Sequence, residues 1–121
     1  MKLSFIPVFT VAITSLAHPA LTMADALYFE KVAVKTTAES TCLRFARDVA
    51  RSANFQNAHT SNTEVAGSVD GVYVAITCVG RGNQPAIAVI MGVAPAFDNA
   101  KRVGQSIAGR IQGIVCIDTP C

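Results

Sequence analysis

Apolar residues recur along this chain in two rhythms, and each change of rhythm marks an element. Leu27 to Lys35 (LYFEKVAVK) mixes aromatic and β-branched residues with charged ones, which predicts a strand. The period then lengthens. Cys42, Phe45, Ala46, Val49 and Ala53 fall three or four apart, so they share one face of a helix that runs to about Asn54. Arg44, Arg47, Asp48 and Arg51 lie on its other side. Thr36 and Glu39 precede the helix at the spacing of a capping box, in which each side chain satisfies the other's backbone amide. Gln56 to Asn62 is polar and without rhythm, and predicts a loop.

A period of two follows. Val65 to Val69 and Val72 to Cys78 flank Asp70-Gly71. That dipeptide suits a two-residue hairpin, because both turn residues need positive φ. With such a loop Val69 faces Val72. Val65, Gly67 and Val69 then share a face with Val72, Val74, Ile76 and Cys78, and that face is the core side. Gly80 to Pro85 is the next turn, and Ala86 to Ala94 is a third, interior strand of the meander. Pro95 ends it. Phe97 to Gln112 is a second amphipathic helix, with Ala100, Val103, Gly104, Ile107, Ala108 and Ile111 inward and Gly113 at the C-terminal cap. Ile114 to Ile117 is either a last strand or an extended segment on the core.

The order strand, helix, three-strand meander, helix predicts an α+β fold: a two-layer sandwich with both helices on one face of an antiparallel sheet. Small or polar residues are expected on the other sheet face, namely Ala66, Ser68, Tyr73, Ala75, Thr77, Ala88 and Ile90.

What precedes the first strand changes the picture. Lys2 is followed by an uncharged apolar run, Leu3 to Ala17, and then by small residues. This is the layout of a secretory signal peptide, expected over residues 1–26. Ala24-Asp25-Ala26 suits cleavage before Leu27, and Thr22-Met23-Ala24 suits cleavage before Asp25. An uncleaved anchor fits less well: spanning needs about 20 apolar residues, and Pro7 and His18-Pro19 interrupt the run. No cysteine near the cut offers a lipidation site. Residues 27–121 then form one small domain, periplasmic or secreted. The whole chain carries ten Lys and Arg against eight Asp and Glu. That balance argues against a nucleic-acid binder, which needs a strong basic excess. After signal removal no long apolar run is left to hold the domain in a membrane.

Export also recasts the cysteines. Four of them in a small chain bound for an oxidising compartment read as disulfides. Cys42 is on the inward stripe of the first helix and Cys78 on the inward face of the hairpin, so their bridge is the favoured pairing, worth about 2–4 kcal/mol. Cys116 and Cys121 are left to close a short terminal loop, and the other two connectivities stay open. A zinc site is disfavoured, since Cys42 and Cys78 are isolated and Cys116 and Cys121 are loosely spaced. No Cys-x-x-Cys redox motif is present.

Other chemistry is sparse. His59, in the polar segment, is the sole histidine after residue 26, and no G-x-S-x-G nucleophile elbow accompanies it. Arg44, Arg47 and Arg51 form a strip at helical spacing, read as a solvated face with Asp48 pairing Arg44. Gly80-Arg81-Gly82 lacks the pattern of a dinucleotide fingerprint. No catalytic, cofactor-binding or metal-binding set is assigned.

The segments Thr41-Cys42, Gly67, Asp70-Gly71, Ala75 to Val79 and Ile87 to Gly92 together resemble a loose group of small exported bacterial proteins of unknown function. The resemblance implies a periplasmic or secreted α+β domain and no activity. The Cys116 and Cys121 pair departs from that pattern. The functional expectation is a non-enzymatic binding or interaction domain without a cofactor, meeting a protein partner or a second copy through the exposed sheet face. The alternative is a small periplasmic enzyme using His59 or Tyr73, or an enzyme inhibitor presenting Gly80 to Pro85.

Overall fold

The computed structural model describes residues 25–117. It is an α+β sandwich of five antiparallel strands and two helices. The chain runs β1 (Ala26–Ala33), α1 (Glu39–Ser52), β2 (Gln56–Thr60), β3 (Glu64–Val69), β4 (Val72–Arg81), β5 (Gln84–Ala94), α2 (Phe97–Gln112). The sheet order is β1-β5-β4-β3-β2. The first strand therefore sits at one edge, and the meander starts at the other and walks back to it. Helix α1 makes the crossing. Its 14 residues span about 21 Å, the width of a five-stranded sheet. The expected signal peptide, residues 1–26, lies outside the described residues except for its last two positions, Asp25 and Ala26.

The segment read as a polar loop, Gln56 to Asn62, supplies the fifth strand. Every residue of β2 is exposed, and Asn57 takes a left-handed φ of 51° where the register with β3 shifts. An edge strand with no buried face has no reason to alternate, so its pattern is that of a loop. Helix α1 stops through a Schellman arrangement. Asn54, at φ 57°, donates to the Arg51 carbonyl, and the Phe55 amide donates to the Ala50 carbonyl.

The hairpin register is as expected. Val69 pairs with Val72, Gly67 with Val74 and Val65 with Ile76, and Asp70 and Gly71 take φ of 49° and 75°. The β4–β5 turn puts Gly82 at φ 68° ahead of Asn83, the glycine-first form of a tight hairpin. Helix α2 has the expected bounds, and the same six residues are buried. Gly113 is its C-terminal cap but with φ −78°, so the position does not use glycine's positive φ.

The core lies between the helices and one face of the sheet. Val65, Val72, Val74, Ile76, Cys78, Ala88 and Ile90 from the sheet meet Cys42, Phe45, Ala46, Val49, Ile107 and Ile111 from the helices. Close approach shapes this interface at two glycines. A Cβ on Gly92 would lie 2.8 Å from the Ala100 carbonyl oxygen, and one on Gly104 would lie 2.5 Å from the Tyr28 ring. Helix α2 can therefore lie flat on β1 and β5. The Ile114 to Ile117 segment forms no strand. Ile114 and Cys116 pack on the core while Val115 and Ile117 point outward.

The capping box does not form. Ala38 is the N-cap of α1, and no side chain caps the helix. Thr36 Oγ1 instead accepts from the Ala38 amide at 3.1 Å. The Glu39 carboxylate accepts from the Gly80 amide at 3.2 Å, which ties the start of α1 to the end of β4.

Candidate functional site

Strand register decides what the face opposite the helices presents. Each row across the sheet can be followed from β3 through β4 and β5 to β1. One row is Ser68, Tyr73, Val93, Leu27. The next is Ala66, Ala75, Met91, Phe29. A third is Glu64, Thr77, Val89, Lys31. Beyond them Val79, Ile87 and Ala33 align. His59 extends the second row from β2, opposite Ala66.

Two of the expected face residues are misplaced by the sequence reading. Ala88 pairs with Cys78 and Ile90 with Ile76, so both point to the helices and are fully buried. Their neighbours Ile87, Val89, Met91 and Val93 are the ones on the open face, each part-exposed. The strand is apolar at nearly every position, so its parity is invisible in its own pattern. The parity follows from the Gly82 turn and from the register shift between Val79 and Arg81. With Ile87, Val89, Met91 and Val93 on it, the face is not the small and polar one expected. It is broadly apolar, with small residues toward β3 and large ones toward β1.

No described element covers it. Leu27 and Phe29 are 55% and 57% exposed, and Tyr73 and Val79 are also open to solvent. Ala66 and Ala75 are buried even here. A contiguous apolar face of this extent is larger than the scattered apolar residues normal on a monomer's surface.

A second concave region lies between α1 and the β2 edge. It encloses about 500 Å³, floored by Ala50, Phe55 and Val65 and flanked by Arg47 and Arg51. Arg51 pairs with Asp48, not Arg44 with Asp48 as the spacing suggested. One turn of helix separates Arg51 from Asp48 on the side where both reach solvent. Arg44 instead places its guanidinium 5.9 Å from the Phe45 ring centre. The arginine strip is thus divided, with Arg47 and Arg51 at the groove. His59 and Tyr73 lie on the opposite side of the sheet from this groove, so the fold does not bring them to a pocket between sheet and helices.

The favoured disulfide is present. Cys42 and Cys78 are bridged with their Cα atoms 6.0 Å apart. Cys116 is also disulfide-bonded, and Cys121 lies outside the described residues, so the second pairing falls there. Among the described residues no three His, Cys, Asp or Glu side chains gather in a metal-binding group. Among them, too, no helix is long and apolar enough to cross a membrane. Tyr28 donates from its hydroxyl to Glu30 at 2.9 Å on the helix side of β1. Partial burial, then that bond and the charge of Glu30, raise its pKa above the ordinary phenol value, with Gln105 acting weakly the other way. The chain matches no protein-family model and no curated protein.

Proposed function

We propose that this chain is an exported, non-enzymatic interaction domain that works through the open face of its sheet. The supporting observation is that face itself, rich in large apolar residues over β1 and β5, with small ones toward β3, and left uncovered by both helices. Burying such a surface against another protein removes apolar area from water at roughly 25 cal/mol per Å². Export rests on the Lys2 to Ala26 signal layout, and the Cys42–Cys78 bridge is compatible with an oxidising compartment.

The test is site-specific photocrosslinking in a bacterial host that expresses the full chain. A photoreactive residue replaces Phe29 or Val79 on the open face, or Arg47 or Gln105 on the helix side. Discrete adducts from positions 29 and 79, with none from 47 and 105, are the expected result. Equal absence from all four positions, in folded protein, overturns the reading. Fusion of residues 1–26 to a periplasm-dependent phosphatase tests export separately, and an inactive fusion refutes it.

A further inference from the structure

We infer that the open face docks a second copy of this chain, in an isologous dimer whose two-fold axis runs along the strands between β4 and β5. The inference rests on reading that face as an interaction surface, and it names the partner.

Self-complementarity of the rows carries the argument. A two-fold axis along the strands keeps each row at its own height and reverses its order, so β5 of one copy lies over β4 of the other and β1 over β3. In the row Ala66, Ala75, Met91, Phe29, reversal puts Met91 over Ala75 and Phe29 over Ala66. Large residues thus lie over small ones, the alternation that lets sheets pack about 10 Å apart. In the neighbouring row Leu27 comes over Ser68, and Val93 over Tyr73. In the row Glu64, Thr77, Val89, Lys31, reversal brings Lys31 over Glu64 twice, once on each side of the axis. These are the face's two charged residues on the four strands, of opposite sign, at opposite ends of one row. An axis across the strands does none of this. It stacks β1 on β1 and β3 on β3, large against large and small against small, and Lys31 falls near its own copy.

Area agrees. Four strands at about 4.8 Å spacing and about nine residues each present roughly 19 Å by 30 Å. That gives roughly 1,100 Å² over both copies, just above the about 1,000 Å² that specific interfaces need. An interface of this size is expected to be reversible, with a Kd on the order of micromolar.

The test expresses the full chain in a bacterial host, reads the purified protein's N-terminus by intact mass, and measures mass in solution by sedimentation equilibrium. A concentration-dependent monomer–dimer equilibrium is expected. Lys31→Glu and Glu64→Lys each set like charges together at two symmetric places and should each weaken association about tenfold. The double variant restores the pairing and should return to within about threefold of the native Kd, which a fold defect could not do. Circular dichroism confirms that each variant folds. A chain that stays monomeric to about 1 mM, cut or uncut, overturns the inference. So does a dimer that neither single swap weakens. If positions 29 and 79 crosslink to a different protein while the chain stays monomeric, the second copy is refuted and the interaction surface stands.

Discussion

Two glycines on the helix side of the sheet carry opposite instructions for substitution. At Gly92 an added methyl group meets a backbone oxygen of α2 at 2.8 Å, and a carbonyl cannot rotate away as a side chain can. Gly92→Ala should therefore push α2 off β5 and cost about 1–3 kcal/mol. Gly109 is exposed near the end of α2, with nothing within 4 Å of an added Cβ. Gly109→Ala should stabilise the protein by about 0.5 kcal/mol through helix propensity alone. Urea titration of both variants checks the pair, and equal effects of one sign would contradict the close approach. Tyr28 adds a pH dependence. Its folded pKa is raised, so the fold favours the neutral phenol. That contribution is complete below the ordinary tyrosine value near 10 and is lost as pH rises through the higher folded value. Stability should fall above about pH 10, and Tyr28→Phe should fall less steeply over the same range. A parallel decline of the two proteins would remove Tyr28 as the cause.

The elements differ in how plainly the chain announces them. Helix α2 was legible to its last residue because one full stripe of six residues is buried while the opposite face is charged. The β3–β4 hairpin was legible because Asp70-Gly71 sets both the turn and the register. Strand β2 was not, since a five-residue exposed edge has no burial to imprint a period on it. Helix α1 was found by its stripe, but its start was misread. Thr36 and Glu39 have the spacing of a capping box, yet Glu39 bonds the Gly80 amide instead, and a distant contact leaves no local signature. The open face was read in outline, with Ala66, Ser68, Tyr73, Ala75 and Thr77 correctly on it, but β5 contributed the wrong half of its residues. The disulfide joining α1 to β4 was legible because both cysteines fall on inward stripes. It closes a loop with a sequence separation of 36, for which loop entropy gives about 3–4 kcal/mol. Cys42→Ala with Cys78→Ala should lower Tm by about 15–25 °C, measured by circular dichroism. A change under about 5 °C would show that packing alone holds α1 on the sheet.

At the scale of the whole molecule, the helices cover one side of the sheet, and no described element covers the other. A domain of under about 100 residues buries a modest share of its surface, so an uncovered apolar face is a large part of what it could still bury. Association through that face adds to stability only when the native state pairs, and the gain then depends on concentration. Above the dimer's Kd, each tenfold rise in concentration contributes about 0.7 kcal/mol per chain, half of RT ln 10, because one dimer yields two unfolded chains. For a domain of this size that corresponds to a rise in Tm of about 3–5 °C per decade. Thermal unfolding followed from about 1 μM to about 1 mM should show this slope in the native chain. Lys31→Glu should delay its onset to about tenfold higher concentration, and adding Glu64→Lys should bring it back. Local destabilisation by either swap would lower Tm equally at every concentration and leave the slope where it was. The slope therefore separates pairing across the sheet faces from any effect of these two charges within one chain.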